Sequence, residues 1–148
     1  MIQRFKFNQK LSYGRVLAEA LAAAVRRRRD ADLPQAIIPV PLHGRRQRAR
    51  GFNQSLEIAR IVATELDLPL AGDAVARVKA TEEQSLLDAD ARCQNIRGAF
   101  AVRRLPWRRV AIVDDVMTTG NTVGELAKTL KHAGCEHVQV WVVARANR

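Results

Sequence analysis

The chain has 148 residues, of which 47% are hydrophobic and 27% are charged, and this balance predicts one folded domain with a hydrophobic core rather than a disordered chain. Lysine and arginine number 25 against 15 aspartates and glutamates, so the net charge of +10 favours anionic partners such as phosphorylated metabolites or nucleic acid. No apolar run approaches the roughly 20 residues that a membrane-spanning helix needs, so we expect no membrane span.

Two features of the sequence indicate a cytoplasmic protein. Cys93 and Cys135 are far apart and have no metal-ligand spacing, so we expect them to be reduced thiols. The initial "MIQRFKFNQK" carries charges but no apolar segment follows it, unlike in a secretory signal. The sequence therefore predicts a cytoplasmic location.

The first half of the chain predicts a helix, a buried strand and a second helix. Apolar residues recur at helical spacing over residues 14–29, where the final "RRRR" is either a solvated helix end or an anion contact. The run "AIIPVP" at 36–41 predicts a buried strand that leaves the sheet at Pro39 or Pro41. A basic loop, "LHGRRQRARG", then leads into a helix over residues 52–66.

The middle of the chain has the weakest pattern. A weak strand is predicted over residues 74–78, and "GAFAV" at 98–102 predicts a short strand or hairpin arm before the turn "RRLPW". Residues 79–97 between them are polar and have the least core-like pattern of the chain. We therefore expect this segment to contribute little to the core.

The last third predicts a β-α-β unit. The strand "RRVAIVDD" at 108–115 is apolar at every position of 110–113, as in a central parallel strand that is buried on both faces. A helix over residues 121–134 is expected to end with Gly134 as its C-terminal glycine, and "HVQVWVVA" at 137–144 follows as a parallel strand. The predicted fold is α/β: an open, mainly parallel sheet of about four or five strands with flanking helices.

The stretch "VAIVDDVMTTGNT" at 110–122 carries the clearest chemistry. Asp114 and Asp115 come at the carboxyl end of the strand, where open α/β sheets bind their ligands. The loop over 116–121 leads into a helix, whose first N–H groups attract phosphate, and its small residues allow the backbone to approach closely. Carboxylates suit ribose hydroxyls or Mg²⁺, so the stretch predicts a sugar-phosphate site.

Each part of this stretch also has a purely structural explanation. Two acids at a strand end can form a solvated turn, and the loop can be a plain helix start with Asn121 or Thr122 as the cap. The combination of both parts after a buried strand favours the ligand site. The loop is neither a Walker A motif nor a GxGxxG motif.

These residues carry a resemblance to a known family. The stretch at 110–122 resembles the phosphoribosyl-diphosphate (PRPP) motif of type I phosphoribosyltransferases. The segments "IPVPLHGRRQRARGFNQSLEIAR" and "EEQSLLDADARCQNIRGAF" and the final β-α-β unit resemble the ComF/GntX family, named for competence for DNA uptake and for gluconate utilisation. The resemblance extends over about residues 5–145. ComF-like proteins commonly begin with CxxC pairs that look like a zinc site, and no residues here correspond to them, so we expect either a short member or part of a longer chain.

The resemblance implies a type I phosphoribosyltransferase-like fold over residues 1–148, PRPP as substrate, Mg²⁺ as cofactor and an unknown nitrogen acceptor. Asp114 and Asp115 would be the catalytic acids: they would contact the ribose hydroxyls and share Mg²⁺ that PRPP itself mainly holds, with Asp115 as candidate general base. The 5′-phosphate loop would comprise Val116, Met117, Thr118, Thr119, Gly120, Asn121 and Thr122. The pyrophosphate loop would comprise Leu42, His43, Gly44 and Arg45. Residues 79–97 would form a flexible loop that closes over the site through Gln84, Arg92 and Asn95.

Several alternatives stay open at this stage. His43 and the arginines of the basic loop (Arg45, Arg46, Arg48 and Arg50) suit either phosphate contacts or a solvated surface, whereas Asn53 fits an N-cap better than a ligand contact. Trp107 and Trp141 are expected to be packing residues. Aromatic residues are only 5% of the chain, so no base-stacking platform is evident.

Three functions remain compatible with these residues. The first is an active phosphoribosyltransferase, and the second is a sensor of PRPP or nucleotides without catalysis. The third is a nucleic-acid-associated accessory of competence, with single-stranded DNA or the competence machinery as partner. Assembly into a homo-oligomer is a further expectation for each of them.

Overall fold

The computed structural model describes residues 2–28, 32–44, 48, 51–79, 89–117 and 119–146. Its helices are α1 (Ile2–Arg27), α2 (Gln54–Leu66), α3 (Ala89–Ile96) and α4 (Asn121–His132). Its strands are β1 (Ala36–Pro39), β2 (Val75–Arg77), β3 (Phe100–Val102), β4 (Arg109–Met117) and β5 (His137–Arg145). None of these helices is both long enough and apolar enough to cross a membrane.

The main sheet is parallel and has β4 at its centre. The strand order is β1-β4-β5, and Ile112 of β4 lies opposite Ile38 on one side and Val140 on the other. Residues 110–113 of β4 are all buried, because helices cover both faces of the sheet. The predicted parallel β-α-β unit and the α/β class are confirmed.

Alternation along the strands divides the core into two halves. Ile38 and Ile112 pack towards α4, together with the part of the chain around Phe100. Ile37 and Val113 point to the other face and pack against α1 and α2, together with the buried Trp141. The expectation that Trp141 is a packing residue of the last strand is confirmed.

The two short strands β2 and β3 form a separate antiparallel hairpin. Three of the five described strands therefore form the parallel sheet, extended only by a bridge between Ile37 and Leu70. The expectation that residues 79–97 contribute little to the core is wrong at their carboxyl end. There α3 brings Ile96 into the core beneath α4, where the side chain is 2% exposed.

Two helix starts differ from the prediction or refine it. Helix α1 begins at Ile2 rather than at residue 14 and continues through Gly14. A single glycine weakens a helix only slightly, and the residues before it contain no proline that would end the helix. The predicted end of this helix at residue 29 lies outside the described residues. Helix α2 begins at Gln54 with Asn53 as its N-cap, which confirms the expected role of Asn53.

The end of α4 confirms Gly134 as the C-terminal glycine. Its φ of 109° lies in the region that favours glycine, and its N–H donates to the carbonyl of Lys131. The N–H of Cys135 donates to the carbonyl of Leu130, so the helix closes with the paired bonds of a Schellman motif. Cys135 is a buried free thiol, as expected, and the side chain of Cys93 lies outside the described residues.

Candidate functional site

The two acids lie within the central strand, which continues beyond them. Strand β4 continues to Met117, two residues beyond the predicted end at Asp115, because β5 pairs with it over this whole length. Asp114 is opposite Val142 of β5. The paired strand therefore fixes the backbone beneath both carboxylates.

Asp114 is held by two hydrogen bonds to one of its oxygens. The hydroxyl of Ser55 donates to Asp114 Oδ1 over 2.8 Å, and the backbone N–H of Asp115 donates to the same oxygen over 2.9 Å. Ser55 lies in the first turn of α2 and is buried. Neither bond uses Oδ2, which keeps its capacity to accept a bond from a ligand hydroxyl or to bind a cation.

The surroundings of Asp114 weaken its acidity. Burial raises the pKa of Asp114 to about 6, the Ser55 hydrogen bond acts in the opposite direction, and the nearby charge of Asp115 raises the pKa further. Asp115 is half-buried, and its Oδ1 accepts a hydrogen bond of 2.7 Å from the N–H of Val116. Both carboxyl groups are half-buried, and each accepts a backbone N–H bond at its Oδ1.

The predicted 5′-phosphate loop forms a small open cavity at the start of α4. The cavity has a volume of about 40 Å³, and its lining residues are Asp114, Val116, Met117, Thr119, Gly120, Asn121, Thr122 and Val123. Asp114 and this loop thus line one cavity. Thr118 lies outside the described residues.

The start of α4 has a glycine at its cap position. The cap position is Gly120, with φ of 81° and no side chain of its own to cap the helix, and Thr119 Oγ1 accepts a long bond of 3.4 Å from the N–H of Asn121. The alternative that Asn121 or Thr122 caps this helix is therefore wrong, because the helix already begins at Asn121. The first N–H groups of a helix can bind an anion, and the helix dipole favours negative charge there.

The predicted pyrophosphate loop follows a strand end that bonds to the acid-bearing strand. The N–H of Val40 donates to the carbonyl of Val113 over 3.0 Å, which places the end of β1 next to the residue that precedes Asp114. Leu42 and Gly44 line a cavity of about 250 Å³. His43 between them is half-buried, and Arg45 lies outside the described residues.

Two arginines that the sequence did not single out line the same cavity. Arg77 ends β2 and Arg103 follows β3, and both belong to the lining of the 250 Å³ cavity. The Arg77 guanidinium lies over the Phe100 ring, 5.7 Å from its centroid, in a cation–π arrangement. Both arginines are adjacent to short hairpin strands, and no sequence pattern places such strands beside β1.

Other basic and lid residues are only partly placed. Arg48 is exposed, and its Nε donates to the carbonyl of Gly44 over 3.3 Å. Asn95 is in α3, which packs against α4. Gln84, Arg46, Arg50 and the side chain of Arg92 lie outside the described residues. Among the described residues, no group of three His, Cys, Asp or Glu side chains forms a metal cluster.

Comparison with known proteins gives consistent results. Residues 53–148 match the phosphoribosyl transferase domain family. The chain is 45% identical to Competence protein F of Haemophilus influenzae, over 99% of this chain and 67% of that protein. It is 38% identical to the DNA utilization protein YhgH of Escherichia coli K12, over 98% of this chain and 66% of that protein. The chain therefore spans about two thirds of the length of these relatives.

Solved structures show the same fold at low sequence identity. A purine phosphoribosyltransferase from Pyrococcus horikoshii gives a TM-score of 0.50 at 20% identity, over 87% of this chain and 70% of that chain. A hypoxanthine phosphoribosyl transferase from Trypanosoma cruzi gives 0.50 at 12% identity, over 95% of this chain and 75% of that chain. The predicted type I phosphoribosyltransferase-like fold is confirmed.

Proposed function

Because this chain belongs to the ComF-type phosphoribosyltransferase family, we propose that it binds PRPP with Mg²⁺ and transfers the phosphoribosyl group to a nitrogen acceptor. One observation carries the proposal: an acid pair near the end of the central strand and a helix start with glycine at the cap position line one cavity. A cavity lined by two arginines borders the carboxyl end of β1. The three parts match a ribose, a 5′-phosphate and a pyrophosphate.

Each part of PRPP has a proposed partner in this arrangement. The ribose hydroxyls donate to Asp114 Oδ2 and to Asp115, and the 5′-phosphate accepts from the N–H groups at the start of α4. The pyrophosphate extends towards Leu42 and Gly44, where guanidinium groups from the hairpin supply positive charge. Binding energy at both phosphate ends holds the ribose in place for the reaction.

The donor chemistry of the site fits Mg²⁺. Mg²⁺ prefers oxygen ligands and is commonly bound by one or two carboxylates together with substrate phosphates, and Asp114 and Asp115 supply such carboxylates. When bound, the ion would neutralise charge on the pyrophosphate as it leaves. Oxygen atoms of PRPP would be the main ligands of the ion.

The transfer itself exchanges one bond at the ribose C1. The acceptor nitrogen forms a bond to C1 while the C1–O bond to pyrophosphate breaks, and pyrophosphate departs with the electron pair. The acceptor N–H proton passes to Asp115, whose carboxylate acts as the general base. Charge that develops on the ribose is stabilised by the carboxylates beneath it. We place this chemistry in the cytoplasm, because PRPP is highly charged and does not cross membranes.

Removing both acids tests the binding proposal. We expect isothermal titration to give at least tenfold weaker binding of PRPP with Mg²⁺ to the Asp114→Ala, Asp115→Ala double variant, because each lost hydrogen bond to a charged group is worth about 1.5 kcal/mol or more. Lys128→Ala, an exchange in α4 outside the cavity lining, is the control and should bind as the wild type does. Equal PRPP affinity in wild type and double variant would falsify the proposal.

Catalysis is separated from sensing by product release. The wild type with PRPP and Mg²⁺ is screened against nucleobases and amines, and released pyrophosphate is measured. Release that depends on one acceptor supports the transferase. Tight PRPP binding without release for any acceptor favours a PRPP-sensing protein with the same site.

A second candidate function is the handling of single-stranded DNA in competence. Arg104 and Trp107 line a cavity of about 280 Å³, and this cavity shares Gly72 and Asp73 with the arginine-lined one. An aromatic side chain beside arginines can combine base stacking with phosphate contacts. The names of the relatives, a competence protein and DNA utilization proteins, agree with this second candidate.

A further inference from the structure

The N-terminal end of α2 places two buried polar side chains between the two halves of the proposed site. Asn53 is 8% exposed and Ser55 is 6% exposed, and they are the buried polar or charged residues among the described part of the chain. Burial of polar groups is unfavourable unless they are hydrogen-bonded. The hydrogen bonds that these two residues make therefore offset the cost of burying them, and they show which parts of the structure the two side chains hold.

Asn53 connects the end of β1 to the helix. Its Nδ2 donates to the carbonyl of Val40 over 3.1 Å, and its Oδ1 accepts from the N–H of Leu56 over 3.3 Å. Val40 immediately precedes Pro41 and Leu42, where the predicted pyrophosphate loop begins. One amide thus fixes both the helix start and the origin of that loop.

Ser55 connects the same helix to the acid pair. Its hydroxyl donates to Asp114 Oδ1, and this bond joins residues 59 positions apart in the sequence. The N–H of Asp115 donates to the same oxygen, so the carboxyl group is held from the helix and from its own strand. The orientation of Oδ2 is fixed as a result.

We propose that this end of α2 positions both halves of the PRPP site: Asn53 positions the pyrophosphate loop and Ser55 positions the ribose-binding carboxylate. The inference rests on the proposed function and adds two positioning residues to it. Because both side chains start from one helix end, the distance between the two half-sites is set by a rigid element. Each residue should therefore affect a different fragment of the ligand.

Fragment binding tests this division. The Ser55→Ala variant is expected to bind ribose 5-phosphate with Mg²⁺ about tenfold more weakly than the wild type, and inorganic pyrophosphate with Mg²⁺ within about twofold of it. The Asn53→Ser variant keeps a good N-cap but loses the donor to Val40, so we expect the reverse pattern. Both variants should bind intact PRPP more weakly. Isothermal titration measures all three ligands.

Matched variants separate positioning from general damage. Ser55→Thr keeps the hydroxyl and should restore most of the ribose 5-phosphate affinity. Thr64→Ala removes a hydroxyl that donates to the carbonyl of Arg60, in the same helix but away from the site, and should change neither fragment. If Ser55→Ala does not fold, as judged by its thermal transition, Ser55→Cys replaces it, because a thiol is a much weaker donor of similar size.

The outcomes distinguish this inference from the function beneath it. Wild-type binding of PRPP with equal losses for both fragments in each variant, or with no loss in either, overturns the inference and leaves the proposed function intact. A wild type that binds none of the three ligands overturns both. Opposite losses in the two variants, with rescue by Ser55→Thr, support the inference.

Discussion

The carboxyl group of Asp114 is subject to opposing influences from the residues around it. Burial raises its pKa to about 6, whereas the hydroxyl of Ser55 favours the ionised form. Mg²⁺ binds the ionised form, and a ligand hydroxyl donates a stronger hydrogen bond to it than to the neutral form. The unliganded protein therefore holds, at neutral pH, a carboxylate that its own fold disfavours, a common compromise between stability and function.

Replacing this carboxyl group with an amide should stabilise the protein and weaken the site. In Asp114→Asn the amide oxygen can still accept from Ser55 and Asp115, and the cost of a buried charge disappears. We expect the free energy of unfolding at pH 7.5 to rise by up to roughly 3 kcal/mol, because the pKa of Asp114 is raised from 3.8 to about 6 and one pKa unit corresponds to about 1.4 kcal/mol. PRPP binding should be weakened at least tenfold. Urea unfolding and isothermal titration measure the two effects.

The stability difference between Asp114→Asn and the wild type should depend on pH. The folded-state pKa of Asp114 is raised above the usual 3.8, so the stability that the group contributes is complete below about pH 4 and is lost as the pH rises through about 6. The advantage of Asp114→Asn should therefore shrink towards zero near pH 4. A variant that is less stable than the wild type at pH 7.5 would contradict the assignment of burial as the main cause.

Single residues differ in how far the sequence predicts them. Asp114 and Asp115 can be predicted because they are adjacent and follow an apolar run at a strand end. Ser55 cannot, since its contact with Asp114 exists only once α2 lies beside β4. Asn53 is predictable as a cap, but its bond to Val40 requires the tertiary arrangement of β1.

Among the elements, those with long and consistent patterns are predictable and the short ones are not. Residues 110–113 are apolar at both even and odd positions, a pattern that only a strand covered on both faces requires. The hairpin strands have three residues each, too few for a periodic signal, and their pairing depends on the chain between them. The predicted α1 is too short because Gly14 is only a weak helix breaker.

The start of α4 provides a test at the level of a single element. Gly120 has φ of 81°, so Gly120→Ala should destabilise the protein by about 1 kcal/mol and weaken the binding of ribose 5-phosphate. Gly124, inside α4, has ordinary helical backbone, and no atom outside its local backbone lies within 4 Å of the position that an alanine Cβ would take there. Gly124→Ala is therefore the matched control and should stabilise the protein by about 0.5–1 kcal/mol. Urea unfolding and fragment titration check both; equal effects of the two exchanges would contradict the proposal for this helix start.

The whole molecule has a net charge of +10, which the packing of its core does not require. Arg103 and Arg104 are adjacent in one turn, and their N–H groups both donate to the carbonyl of Ala74. Consecutive side chains of this turn thus line the two adjoining cavities. PRPP would occupy only the cavity lined by Arg103, so a longer polyanion would make its additional contacts in the cavity lined by Arg104.

Salt dependence tests the second candidate function. If single-stranded DNA binds along these cavities, the affinity for a labelled oligonucleotide should fall steeply with salt, and the Arg103→Ala, Arg104→Ala double variant should reduce the log–log slope by about 1.4 for two lost phosphate contacts. Arg15→Ala, which removes an exposed arginine paired with Glu19 on α1, is the control. Fluorescence anisotropy measures the affinities. Absence of binding even at low salt, or the same slope in all three proteins, would reject DNA binding here.

The position of β4 in the chain affects the order in which the protein can fold. Its neighbour β1 precedes it by about seventy residues, and the pairing of Ile38 with Ile112 cannot form until β4 has left the ribosome. Until then α1 and α2 can pack on each other but have no central strand to cover. The strand that completes the sheet also carries the acid pair, so during synthesis the core and the proposed substrate site come into existence in one step.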